Sequence, residues 1–209
     1  MDYGKQITYL EEKLKGPLPG AAAQRKMASK VRGISMDIPP DAKESAVMGL
    51  LFPKENDLNL LLIKRTEDGR PHSGQIGFPG GRREDADDNL LITALRETHE
   101  EVGIPSTSIT VLGALSSLYI PVSKSNVFPY IGFTSQQPEY VLSADEVQYV
   151  IEVPVRELFD PAIKSIKSIT PSAFPDITLT TPVYEWQPEH IIWGATAMMI
   201  AELEELMDF

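Results

Sequence analysis

The chain has 209 residues, 42% hydrophobic and 23% charged, the proportions of a folding globular protein and not of a disordered one. Thirty Asp and Glu against 19 Lys and Arg give a formal net charge of -11, which disfavours nonspecific binding to nucleic acid or to an anionic membrane surface. No cysteine is present, which excludes disulfides, thiolate zinc sites and cysteine nucleophiles.

From the start, Met1 to Lys5 lacks a basic segment followed by an apolar one, and the longest nearly apolar run, Ile191 to Ala201, is too short to span a bilayer. A cytoplasmic protein with no membrane partner is therefore expected. Ile7, Leu10 and Leu14 share one helical stripe over Gln6 to Lys15, and Gly16-Pro17-Leu18-Pro19-Gly20 breaks it. The basic residues Arg25, Lys26, Lys30 and Arg32 read as a solvated linker. This gives an N-terminal helix and linker over 1–35 and one catalytic unit over 36–209.

Ala46 to Phe52 and Asn59 to Ile63 read as a hairpin of largely buried strands turning at Pro53 to Asp57. Further strands are predicted at Ile109 to Leu118, Phe128 to Phe133 and Val147 to Val153, and helices at Asn89 to Val102 and His190 to Met207. No internal repeat is evident. Strands first, a helix in the middle and a helix at the end predict an α/β fold, a mixed β-sheet with helices on its faces.

In the central helix Leu91, Leu95, Thr98 and Val102 form one face, and Glu97, Glu100 and Glu101 project roughly opposite. Asp87, Asp88 or Asn89 can cap its start, and Gly103 with Pro105 stops it. Three outer glutamates are also what an ordinary solvated helix presents, so context decides. Immediately upstream stands Gly74-Gln75-Ile76-Gly77-Phe78-Pro79-Gly80-Gly81, whose glycines, Gly81 among them, bring bare backbone close to a ligand.

The string Gly80-Gly81-Arg82-Arg83-Glu84-Asp85-Ala86-Asp87, continued by Arg96-Glu97-Thr98-His99-Glu100-Glu101-Val102-Gly103-Ile104, resembles the Nudix box. Asp87 stands where that family has a glutamate, the spacer to Arg96 is one residue longer, and Thr98 replaces an aliphatic residue. The resemblance implies a Nudix-type α/β/α sandwich. It also implies that Glu97, Glu100 and Glu101, with the Gly80 carbonyl, hold Mg2+, with Mn2+ as a substitute. Neighbouring positions three and four apart on a helix let such carboxylates converge on one hard cation. Arg96 would hold the carboxylates by ion pairing. The implied reaction is attack of an activated water on one phosphorus of a diphosphate. The general base is either Glu97 or a glutamate on a distant loop, for which Glu146 before a predicted strand is the candidate; Glu146 is equally readable as a turn residue.

The longer spacer, together with Leu61-Leu62-Ile63-Lys64-Arg65-Thr66, Arg70, Gly74 and Phe78-Pro79-Gly80-Gly81, is similar to the coenzyme A pyrophosphatase branch, with Ile63 and Thr66 replacing the usual Thr and Ser. A looser likeness extends to Trp193-Gly194-Ala195-Thr196-Ala197. Arg65 and Arg70 are candidate readers of substrate phosphate, or surface ion-pairing residues. His72, in the glycine-bounded loop, is a further candidate to touch substrate, whereas His99 and His190 read as packing or surface residues. Trp186, Trp193 and Tyr184 read as core aromatics before they read as a base-stacking shelf.

The expected partner is a small nucleotide-containing molecule, and nothing opposes a homodimer. Two other readings compete. One is a pyrophosphatase for ADP-ribose or another nucleoside diphosphate derivative; the other is a non-catalytic ligand sensor, which the retention of all three glutamates opposes. Isopentenyl diphosphate isomerase chemistry needs a cysteine this chain lacks.

Overall fold

A computed structural model describes residues 3–29, 38–69, 72–171 and 175–207. The order of elements is α1 (Tyr3–Leu14), α2 (Ala21–Gln24), β1 (Lys43–Lys54), β2 (Asp57–Arg65), β3 (Ile76–Gly77), β4 (Gly80–Arg82), α3 (Leu90–Val102), β5 (Thr110–Ala114), β6 (Leu118–Ile120), β7 (Ser125–Phe133), β8 (Val147–Pro154), α4 (Val155–Leu158), β9 (Lys164–Ile169), β10 (Leu179–Gln187), β11 (His190–Trp193) and α5 (Gly194–Leu206).

The hairpin of β1 and β2 closes at Lys54 opposite Asp57. Glu55 (φ 52°) and Asn56 (φ 65°) are both left-handed there, the backbone pair that matches strand twist in a two-residue turn. Side chains then sort by the twofold period of the strands: Ala46, Met48, Leu50 and Phe52 with Leu61 and Ile63 pack under Ala94 and Val102 of α3. Leu51, Leu60 and Leu62 join Ile7, Leu10 and Leu14 of α1 and Ile200, Leu203 and Leu206 of α5 on the other face. Because both faces are covered, these strands read in sequence as continuous apolar runs without alternation.

The large sheet runs β3-β2-β1-β7-β5, with β8 also on β2, β4 on β1 and β6 on β7. The β1–β7 pair is parallel and the others are antiparallel, so the sheet is mixed, as expected. A second sheet, β11-β10-β9, lies beside it. The expected α/β/α arrangement is therefore present, with α3 on one face of the large sheet and α1 and α5 on the other. Glu202 of α5, fully buried, accepts from Gly20 N (3.0 Å), Gln24 Nε2 (2.8 Å) and Ser116 N (3.2 Å), so the segment after α1 is tied to the last helix by satisfied polar bonds.

Three predicted elements are corrected. The helix expected over His190 to Met207 begins only at Gly194, because His190–Trp193 pairs with β10 as a strand and Gly194 takes a left-handed φ of 63°. The strand expected over Ile109 to Leu118 divides into β5 and β6, and β7 starts three residues earlier than Phe128, at Ser125. Strands β9 and β10 were not anticipated: KSIKSI is too polar and LTTPVYEWQ carries a proline within the run. Among the described residues no helix is long and apolar enough to cross a membrane.

Candidate active site

Asn89 caps α3, its side chain accepting from Leu91 N (3.0 Å) and Ile92 N (3.1 Å), and Gly103 ends the helix in a left-handed conformation at φ 77°. The buried stripe corrects the expected one. It runs through Thr93, Ala94, Thr98, Glu101 and Val102, while Leu91 and Leu95 are only partly buried. Thr98 serves where an aliphatic residue was expected because its hydroxyl donates to Ala94 O at 2.7 Å. Glu101 is thus not on the outer face: its side chain is 1% exposed.

That burial is tolerated because both carboxylate oxygens are satisfied. Gly80 N donates to Oε2 at 2.8 Å, and Arg65 Nη1 donates to Oε1 at 2.9 Å. Burial nevertheless pushes the Glu101 carboxyl up to about 7, against the opposing pull of Arg65 and the Gly80 amide. Glu97 is also raised, by burial first, with Arg96 opposing and Glu100 and Glu146 adding repulsion. Glu146 adds repulsion at Glu101 as well, so the structure brings this loop residue to the carboxylate cluster. The loop is held there by the helix end, since Val141 N donates to Val102 O (3.0 Å) and Ser143 N to Glu101 O (3.0 Å). Glu146 itself is anchored to β2 through Thr66 N, which donates to its carbonyl at 3.0 Å.

Arg96 bridges the cluster. Its Nη1 donates to Glu97 Oε1 (3.0 Å) and Glu100 Oε2 (2.8 Å), while Nε and Nη2 grip Asp87 at 3.0 and 2.9 Å. Asp87, 2% exposed, also accepts from Thr93 Oγ1 (2.9 Å) and Glu84 N (3.0 Å). The acidic position of the motif therefore faces the arginine and not the other carboxylates. Sequence reasoning missed Thr93 and the Ser143 and Val141 amides; the first lies on the motif helix, but the others leave no side-chain signal.

The glycines are required by space. At Gly80 a Cβ would sit 2.3 Å from Ala46 O, and at Gly81 a Cβ would sit 2.4 Å from Glu97 Oε1. The bare Gly81 leaves a cradle over the Glu97 carboxylate. Among the described residues no group of three His, Asp or Glu side chains is gathered as a finished cation cage, because each box glutamate is turned onto an arginine. The donor set still suits a hard divalent ion: crowded, partly desolvated carboxylates offering oxygen ligands only, with Glu97 seated against the bare backbone of Gly81.

Of the expected substrate-binding residues, Arg65 is engaged with Glu101 and 32% exposed. His72, at φ 70°, contacts Gln75 Oε1 through Nδ1 (3.2 Å), and burial first, then the charge of Arg65, lowers its pKa against the opposing hydrogen bond to Gln75. Arg70, like Lys30 and Arg32, lies outside the described residues. Tyr184 is buried with its hydroxyl on Glu204 Oε2 (3.1 Å), Trp186 stacks on His190 (5.6 Å, 9°), and Trp193 precedes α5.

Comparison with known proteins adds the following. A NUDIX domain model matches residues 42–189. The chain is 36% identical over 145 residues to the uncharacterized Nudix hydrolase NudL of Pectobacterium atrosepticum, covering 69% of this chain and 72% of that one. It is 31% identical over 167 residues to the NudL protein of an Enterobacter species, covering 77% and 81%. The solved MutT/nudix family protein from Enterococcus faecalis superposes with a TM-score of 0.50 at 16% identity, covering 97% of this chain and 73% of that one, a likeness of fold.

Proposed function

This chain belongs to the Nudix hydrolase family, and from that premise we propose that it splits the diphosphate of coenzyme A or an acyl derivative into 3′,5′-ADP and (acyl-)4′-phosphopantetheine. The observation that carries the hydrolytic reading is the meeting of Glu97, Glu101 and Glu146 beside the bare backbone of Gly80 and Gly81. Nudix hydrolases use divalent metal ions; Glu97, Glu100, Glu101 and the Gly80 carbonyl would hold Mg2+, or Mn2+ in its place, which neutralises phosphate charge and acidifies a bound water.

The chain's own groups do the rest. Arg96, fixed by Asp87, orients Glu97 and Glu100. Glu146 or Glu97 accepts the proton of the attacking water. Arg65, Arg70 and His72 are the residues we assign to the substrate, the guanidinium groups being suited to paired contacts with phosphate oxygens. We read residues 1–35 as an extension of the catalytic unit of 36–209, on whose core Ile7, Leu10, Leu14 and Met27 pack.

The choice of coenzyme A rests on the lengthened spacer between Asp87 and Arg96 and on the stretch from Leu61 to Gly81. A substrate panel resolved by product identity tests it. Coenzyme A should be preferred, and replacing Arg65 or Arg70 should weaken coenzyme A more than dephospho-coenzyme A. If kcat/KM for ADP-ribose exceeds that for coenzyme A by about tenfold, roughly 1.4 kcal/mol of transition-state binding, the coenzyme A assignment is wrong and the family assignment stands.

A further inference from the structure

Two arginines serve the carboxylate cluster, and they are held very differently. Arg96 is pinned: three of its nitrogens are bonded to Asp87, Glu97, Glu100 and the carbonyl of Arg82. The side chain of Arg65 makes, among the described residues, one hydrogen bond, Nη1 to Glu101 Oε1 at 2.9 Å. It stands at the end of β2, where the ladder to β8 slips between Lys64 and Arg65. A third of its side chain is in solvent, and its charge reaches His72 on the loop that follows. Glu101 is in the opposite position: it is buried, Arg96 is spent elsewhere, and Arg65 is its cation among the described residues. A buried carboxylate stripped of its partner is strongly unfavourable, whereas a guanidinium already a third in solvent gives up its partner at less loss.

We propose that Arg65 is a releasable counter-ion: it neutralises Glu101 when no divalent cation is present, yields Oε1 to the cation, and then turns to the phosphate of the substrate. This rests on the metal-binding reading of Glu101 given above. Two consequences follow from linkage. Cation and Arg65 compete for one carboxylate oxygen, and cation and phosphate favour each other through Arg65, since each relieves Arg65 of one partner and offers it the other. The coupling is reciprocal: bound cation strengthens phosphate binding by the same factor by which bound phosphate strengthens cation binding.

The test uses Mn2+ titration by calorimetry at pH 8.5 on wild type, Arg65→Met and Glu101→Gln, together with thermal melts in EDTA and in saturating Mn2+. Glu101→Gln should weaken Mn2+ binding about tenfold or more, which establishes the ligand. Arg65→Met should tighten Mn2+ binding about tenfold, because a positive charge competing at contact distance is gone. Its melting temperature should fall in EDTA and recover most of the difference in Mn2+. With Mn2+ present, Arg65→Met should also bind α,β-methylene-ADP, a diphosphate with no cleavable bridge, about tenfold more weakly than wild type. Weaker or unchanged Mn2+ binding in Arg65→Met overturns the proposal, since Arg65 would then support Glu101 with the cation bound. If Glu101→Gln binds Mn2+ as wild type does, the metal assignment fails and this inference falls with it. Should Arg65→Met not fold, Arg65→Gln keeps a donor to Glu101 without the charge and carries the same expectations.

Discussion

Asp87 offers a direct measure of what holds the site, through the substitution Asp87→Asn. Its Oδ2 accepts from three donors, Arg96 Nη2, Thr93 Oγ1 and Glu84 N, and its Oδ1 from Arg96 Nε. Asparagine fits best with its oxygen at the three-donor position, which sets an NH2 against Arg96 Nε and removes the ion pair altogether. Hydrogen bonds to charged groups contribute about 1.5–3 kcal/mol, and breaking a fully buried pair costs about 3–5 kcal/mol. Because Arg96 keeps some solvent contact, about 2–3 kcal/mol is expected. At this chain length that is a drop in Tm of about 4–12 °C, read by calorimetry at pH 7. The pH dependence has a definite sign. The guanidinium of Arg96 holds the Asp87 carboxyl far below the usual carboxylate range, so the gap between wild type and Asp87→Asn is full above about pH 4 and closes as pH falls below it. Asp88→Asn, at an exposed position, is the control and should leave Tm unchanged. A variant as stable as wild type that has lost Mn2+ binding would refute this reasoning and make Asp87 a ligand.

Glu100→Gln and Glu101→Gln should each lower kcat by at least about a hundredfold in steady-state assays at saturating Mg2+, with circular dichroism unchanged. The test is most demanding at Glu100, whose side chain is 52% exposed and would tolerate substitution freely if it were only a surface group. Gly81→Ala places a methyl against Glu97 and should cost about a hundredfold in kcat with the fold intact, whereas Gly80→Ala collides with the β1 backbone and should show as lost stability. Glu146→Gln should lower kcat strongly with Mn2+ affinity nearly unchanged if it is the base; near-wild-type turnover assigns that role to Glu97.

The parts of the fold legible in sequence were those with strong local signals. The hairpin announces itself by two apolar runs around Glu55-Asn56, and α3 by Asn89, its periodic face and Gly103. The strands from 164 to 187 escaped because their pairing is with each other and their alternation is weak. At the site, the motif spacing located the glutamates but not their surroundings. Helical geometry alone put Glu101 on the wet face, because the two groups that make its burial tolerable, Arg65 and the Gly80 amide, arrive from other strands. Asp87 was visible as an acidic position, while its task was not: an Asp is one methylene shorter than Glu, and here it reaches Arg96 and stops.

The parallel pairing of β1 with β7 sets Lys43 opposite Ser125 and Leu51 opposite Phe133, partners 82 positions apart. The hairpin, the glycine segment and α3 all lie between them, so during synthesis Glu97, Glu100 and Glu101 emerge before the strand that covers the free edge of β1, with Glu146 and β8 later still. Until β7 arrives, β1 exposes a hydrogen-bonding edge flanked by Met48, Leu50 and Leu51. Such long-range parallel closure is slow, because the loop entropy is lost before the contacts form. The nascent chain therefore passes through a stage in which its glutamate-bearing helix is spelled out but its most adhesive strand is uncovered, a window in which a chaperone has more to protect than in the finished protein.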